Sequence, residues 1–205
     1  MNSTPNVFNN AEELMKNSLA ENLEAANFCV NYNKATKPEL WGNNNPGALG
    51  IPACILLMSI IDTIGAAYRK AFDAKSDRAN FDVLKVSDIF SMSLADNEIK
   101  AVYDDLRSLV THNGLIKEVI EIKNDFGTYA FTFGNIGTRK RIRVIYLKTL
   151  LDNCRHGIAY FNEHASKMLA ISRVDQDAKL KVEIQRPSIK DAPSTGFDTY
   201  LTPSK

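Results

Sequence analysis

The chain has 205 residues, of which 44% are apolar and 24% charged, so it can bury a core of its own as one domain. Its 25 Lys and Arg stand against 24 Asp and Glu, a formal charge of +1. That balance excludes a uniformly basic nucleic-acid coat and an acidic tail, but not a local basic patch.

The opening stretch MNSTPNVFNNAEEL has no basic region followed by an apolar one, so no secretory leader is expected. Residues 10–32 are predicted as a helix, with Asn10 and Glu13 as a cap signal and Met15, Leu19, Leu23, Ala26 and Val30 on one stripe. Residues 34–47 read as a loop that Trp41 packs down.

A hydrophobic helix is predicted over 51–72. Residues 48–67 are almost all apolar, which raises a membrane span. Gly50, Pro52, Gly65 and the acidic Asp62 interrupt the run, so a helix buried on all sides of a bundle is the better reading, with no membrane partner.

Residues 75–81 break the pattern, and 83–94 read as a shorter helix. Asp96 is expected to cap a helix over 97–112. Its stripe is Ile99, Val102, Leu106, Leu109 and Val110, and Asn113-Gly114 supplies the stop.

The period then changes. Residues 118–123 and 128–133 alternate around Asn124-Asp125-Phe126-Gly127 and read as a hairpin. Residues 134–143 read as a turn carrying Arg139, Lys140, Arg141 and Arg143. This cluster either contacts an RNA backbone or is simply solvated. A long helix is predicted over 144–169, lined by Leu147, Leu150, Leu151, Cys154, Ile158, Phe161, Ala165 and Leu169. The expected fold class is mainly α, a helical bundle with one small β-hairpin inserted before the last long helix. The domain covers residues 8–172, and 173–205 form a polar tail containing Pro187, Pro193 and Pro203.

Cys29, Cys54 and Cys154 form no CxxC pair, so neither a disulfide framework nor a cysteine zinc site is expected. They read as buried hydrophobes in a reducing cytoplasm. His112, His156 and His164 show no HxxxH spacing, so no metal or other cofactor is expected. His156 and His164 lie off the apolar stripe of their helix, on its surface.

The remaining histidine ends the most informative segment, Val102-Tyr103-Asp104-Asp105-Leu106-Arg107-Ser108-Leu109-Val110-Thr111-His112-Asn113. With Ile99 at zero, the apolar stripe centres near ~340°, while Arg107 falls at about 80° and His112 at about 220°. Thr111, Asp104 and Ser108 lie between them, opposite the core. A loosened last turn would let Arg107 and His112 reach one bound group. Arg offers a permanent charge and a fork of donors that fits phosphate oxygens. His titrates near neutrality and serves as general base or acid. Together they suit RNA cleavage by its own 2′-hydroxyl; on spacing alone, which is common by chance, the solvated face of an amphipathic helix with His112 helping to cap it is the more ordinary reading.

This segment resembles the R-x4–6-H motif helix of the HEPN superfamily. The preceding hydrophobic helix with its embedded acid, the hairpin and the closing helix look similar too. The likeness spans roughly residues 10–169, and the motif is its tight part. It implies a helical bundle, dimers with motif helices face to face, and in many members metal-independent endoribonuclease activity in toxin–antitoxin or antiviral settings. An RNA substrate and an antitoxin or other protein partner go with that setting.

Carried over, Arg107 would bind the scissile phosphate and His112 would be the acid and base. Asp104 and Ser108 would support them, with Ser108 standing where the family commonly has Asn. Asp62 either orients Arg107, pairs with another base or reaches water. Two other readings stand beside the nuclease: a catalytically silent module binding RNA, a nucleotide or a protein, and a plain helical interaction protein. A homodimer is expected, with the polar face of 97–112 at the two-fold axis.

Overall fold

The computed structural model describes residues 11–43, 47–70, 78–111 and 120–169, with backbone alone for Ala11 and residues 107–111. Helix α1 spans Ala11–Asn31 and α3 spans Gly50–Tyr68. Helix α5 spans Asp96–Thr111 and α6 spans Leu147–Met168. Each lies within a few residues of its predicted span, read from an apolar stripe for α1, α5 and α6 and from a nearly continuous apolar run for α3. The loop after α1 is more structured than its composition suggests. It holds a 3₁₀ turn, Lys34–Thr36, and a single helical turn α2, Pro38–Trp41, with proline at the position where its missing N–H costs nothing. Trp41 does pack this segment down: its Nε1 donates to the Tyr32 hydroxyl at 3.3 Å.

Helix α3 is the centre of the bundle. It packs against α1, α5, α6 and a 3₁₀ segment, Arg78–Lys85. By length and composition it could cross a membrane, with a mean hydropathy of 1.8, yet half of that window is buried inside the fold. Leu57, Ile60, Ile61 and Ile64 have no exposed surface. The predicted helix over 83–94 is instead the end of the 3₁₀ segment followed by one helical turn, α4, Ser87–Phe90. Ser91 then ends α4 in the left-handed region at φ 51°.

Two glycines set how close these elements come. A Cβ on Gly65 would stand 1.8 Å from the backbone carbonyl oxygen of Asn80, so α3 and the 3₁₀ segment touch backbone to backbone there. A Cβ on Gly157 would stand 2.5 Å from the Phe90 ring, which a side-chain shift can relieve more easily. An exposed mid-helix Gly→Ala change would stabilise by ~1 kcal/mol. Gly65→Ala should instead destabilise by about 3 kcal/mol, because a backbone carbonyl has nowhere to go. Equilibrium urea unfolding checks the sign, and a gain in stability would contradict the backbone contact.

The start of α5 corrects one expectation. Ile99 N–H donates to the Ala95 carbonyl at 2.9 Å, so Ala95, not Asp96, is the cap residue. Glu98 reaches back to the Ala95 N–H at 3.1 Å, one half of a capping box. Asp96 sits in the first turn, where an acid suits the helix dipole, and pairs with Lys85 at 2.6 Å. The Lys85 hydrogen bond and charge hold the Asp96 carboxyl below its ordinary value.

The hairpin expectation is corrected as well. Among the described residues three strands precede the last helix: β1, Glu121–Lys123; β2, Phe131–Ile136; and β3, Arg139–Tyr146. Their order is β1-β3-β2. The hairpin is β2–β3, turning at Gly137-Thr138, where Gly137 has φ 59° at the position at which a II′ turn takes glycine. Strand β1 pairs with the far end of β3 in parallel and does not form a hairpin with β2. Residues Val144–Tyr146, assigned by sequence to the closing helix, are the end of β3. A register shift between Thr132 and Phe133 leaves Arg143 as an extra residue. That bulge lets Ile142 and Ile145, three apart, both face the core.

The fold is thus mainly helical with a small three-stranded sheet before the last helix. The cap at Asn10, the Asn113-Gly114 stop and the tail 173–205 lie outside the described residues.

Candidate functional site

Helix α5 presents Ile99, Val102 and Leu106 to the core, so the phase expected of the motif helix is the observed one. The backbone of Arg107 and Ser108 is helical, and Thr111 is the last residue of α5. The side chains of Arg107, Ser108, Leu109 and Val110, and the whole of His112, lie outside the described residues.

The neighbouring acids are sorted sharply. Asp104 is exposed and pairs with Lys100 one turn back on the same helix. Asp105 is 3% exposed and is the anchor of α5. Its Oδ2 accepts the backbone N–H of Ile142 at 2.9 Å, and its Oδ1 meets Nε of Arg141 at 2.5 Å. Glu98, two turns earlier, meets Lys140 at 3.4 Å. Two carboxylates on α5 therefore take two of the four cations of 139–143. That segment is a strand, not the turn the sequence suggested. Arg139 and Arg143 are the exposed pair.

Sequence reasoning missed Asp105, although a signal existed. It falls at about 240° on the helical wheel, beside the apolar stripe, whereas Asp104 at about 140° lies opposite it. An acid at the edge of a buried stripe needs a partner.

Asp62 on α3 is half-buried, and its described partner is an amide: Asn80 Nδ2 donates to Asp62 Oδ1 at 2.9 Å. Asn80 is 1% exposed, and its Oδ1 accepts from Arg69 Nη1 at 2.8 Å. Asp62 is thus joined to an arginine through a buried amide. That arginine, Arg69, is on the C-terminal cap of its own helix. The relay ties α3 to the 3₁₀ segment at the Gly65 contact.

The cysteines are buried and free. Burial pushes the Cys54 thiol up to about 12 and raises Cys29 and Cys154 as well, which removes all three as thiolate nucleophiles near neutral pH. His156 is exposed, with Nε2 2.9 Å from the Asp88 carbonyl. His164 is half-buried, stacked on Tyr160 with its Nδ1 2.9 Å from the Tyr160 carbonyl. Among the described residues no group of three His, Cys, Asp or Glu side chains is arranged to hold a metal ion.

No family model, no curated protein and no solved structure matches this chain.

Proposed function

We propose that this chain is a HEPN-like protein that cleaves RNA through Arg107 and His112. The observation that carries the reading is the seating of α5. Ile99, Val102 and Leu106 are pinned in the core, and Asp105 is bonded to β3. The last turns of that anchored helix carry Arg107, and His112 follows its final residue. A pair acting on one phosphate needs such a rigid support.

In the proposed reaction the His112 imidazole removes the proton of a ribose 2′-hydroxyl. The 2′-oxygen attacks the adjacent phosphorus and the bond to the 5′-oxygen breaks. The leaving oxygen takes a proton from the imidazolium. Arg107 balances the charge that gathers on the phosphoryl oxygens. Two copies, joined isologously at the polar face of α5, would place two such pairs along one groove.

The test is the chemistry of the ends. Incubated with a panel of single-stranded RNAs, the purified chain should cut in the presence of EDTA, leaving 2′,3′-cyclic phosphate and 5′-hydroxyl termini. DNA of the same sequence should stay whole. RNA that is bound but uncut would favour a silent binding module, and RNA neither bound nor cut a plain interaction protein. Light scattering at micromolar concentration should give the mass of two chains; the mass of one would remove the composite groove.

A further inference from the structure

The segment between β1 and β2, residues 124–130, is tightly fastened yet turns two aromatic rings to solvent. Phe126 is 61% exposed and Tyr129 is 70% exposed. The backbone beneath them is held at several points. Phe126 N–H donates to Asp125 Oδ1 at 2.8 Å, and Lys148 N–H donates to the Asp125 carbonyl at 3.3 Å. Gly127 N–H donates to Thr149 Oγ1 at 2.9 Å, and that hydroxyl donates back to the Gly127 carbonyl at 3.1 Å. Gly127 lies flat on Tyr146, where a Cβ would stand 2.5 Å from the ring.

One lysine lies beside a displayed ring, and another beside the Tyr146 ring on which Gly127 rests. Lys148 Nζ lies 5.5 Å from the centre of the Phe126 ring, and Lys123 Nζ lies 5.8 Å from that of Tyr146. Glu121 shares Lys123 at 3.4 Å. Large apolar rings are ordinarily buried, and a pinned loop that displays two of them is pre-organised for a flat partner. Flat faces beside amines match unpaired nucleotides, with a base on each ring and the phosphates near the lysines.

We infer that Phe126 and Tyr129, with Lys123 and Lys148, form a stacking platform for single-stranded RNA. The inference rests on the RNA reading above and names where the strand is gripped outside the Arg107 and His112 pair.

The test uses the full chain and ligands that cannot be cut. These are a short fluorescently labelled single-stranded DNA and its 2′-O-methyl RNA counterpart, both lacking the free 2′-hydroxyl. Anisotropy titrations compare the native chain with Phe126→Ala/Tyr129→Ala and Phe126→Leu/Tyr129→Leu, with circular dichroism and thermal unfolding as fold controls. Both double variants should bind about tenfold more weakly or worse, since leucine keeps apolar area but has no π face. An abasic oligonucleotide should bind the native chain as weakly as the intact one binds the variants.

Native-like binding by the leucine variant would overturn the inference and point to an apolar protein contact. Native-like binding by both variants, or no binding by the native chain, would also overturn it. Binding to these ligands without any cleavage of RNA would leave the platform standing and remove the nuclease. Cleavage of RNA at native rate by the alanine variant would do the reverse.

Discussion

Asp105→Ala should lower the free energy of unfolding by about 3–5 kcal/mol, the range for a buried ion pair that loses one partner. The carboxylate holds the guanidinium of Arg141 with one oxygen and the backbone N–H of Ile142 with the other. Its removal leaves a cation against the core and an N–H without an acceptor, and the second loss alone costs about 1–3 kcal/mol. The Arg141 side chain keeps 24% of its surface in contact with water, which places the expected loss toward the lower end. Asp105→Asn keeps an oxygen for the N–H and should fall between. The adjacent Asp104→Ala removes only an exposed pair with Lys100 and should change stability by less than ~0.5 kcal/mol. Midpoints and slopes of urea unfolding separate the three variants. Equal losses at 104 and 105 would mean that the anchor is not at Asp105.

On the proposed mechanism, His112→Ala should reduce single-turnover cleavage of RNA by about 10²–10⁴-fold, the usual contribution of a positioned acid or base. Arg107→Ala should lose about 10²–10³-fold through unbalanced charge in the transition state. Neither change should move the unfolding midpoint, since both residues lie off the apolar stripe on the helical wheel. Leu106→Ala is the contrasting control. That side chain is fully inside the core, and its truncation should cost about 2–5 kcal/mol through a cavity. Cleavage that survives both polar substitutions would assign the chemistry to other residues.

The single turns α2 and α4 are too short to show a period, and α3 stands out by apolar content alone. Helices α1, α5 and α6 were legible because each carries an apolar stripe of the right period, which the tertiary fold uses as written. Ile99, Val102 and Leu106 are the clearest case. The sheet was half legible. Its strand-forming residues stand out, but Asn124-Asp125-Phe126-Gly127 looks more like a hairpin turn than Gly137-Thr138 does. The parallel pairing of β1 with β3 depends on contacts between segments, which no local pattern encodes. Val144 lies at the edge of the α6 stripe, so periodicity drew it into the helix, whereas Ile145 falls opposite that stripe, and the β-branching of both favoured the strand.

At the site, burial sorted charges that composition leaves equivalent. Asp104 and Asp105 are neighbours with opposite fates. Lys140 and Arg141, read as part of a free basic cluster, are held by Glu98 and Asp105. The Asp62–Asn80 bond joins residues 18 apart through an amide that nothing in the local sequence singles out.

The seating of α6 has a consequence for the order in which the molecule assembles. Its thiol Cys154 reaches the Leu57 carbonyl across 97 residues, and Arg155 reaches the Asn27 side chain across 128. The β2–β3 hairpin closes over two residues and can form within ~1–10 μs, whereas the contacts that bring α6 onto α3 and α1 close loops of 97 and 128 residues. During synthesis α1 and α3 emerge long before α6. For that interval the apolar wall of α3 that α6 later covers is open to water. A chaperone, or an accident of aggregation, would meet the chain at that wall, and slow translation of residues 147–168 would lengthen the exposure.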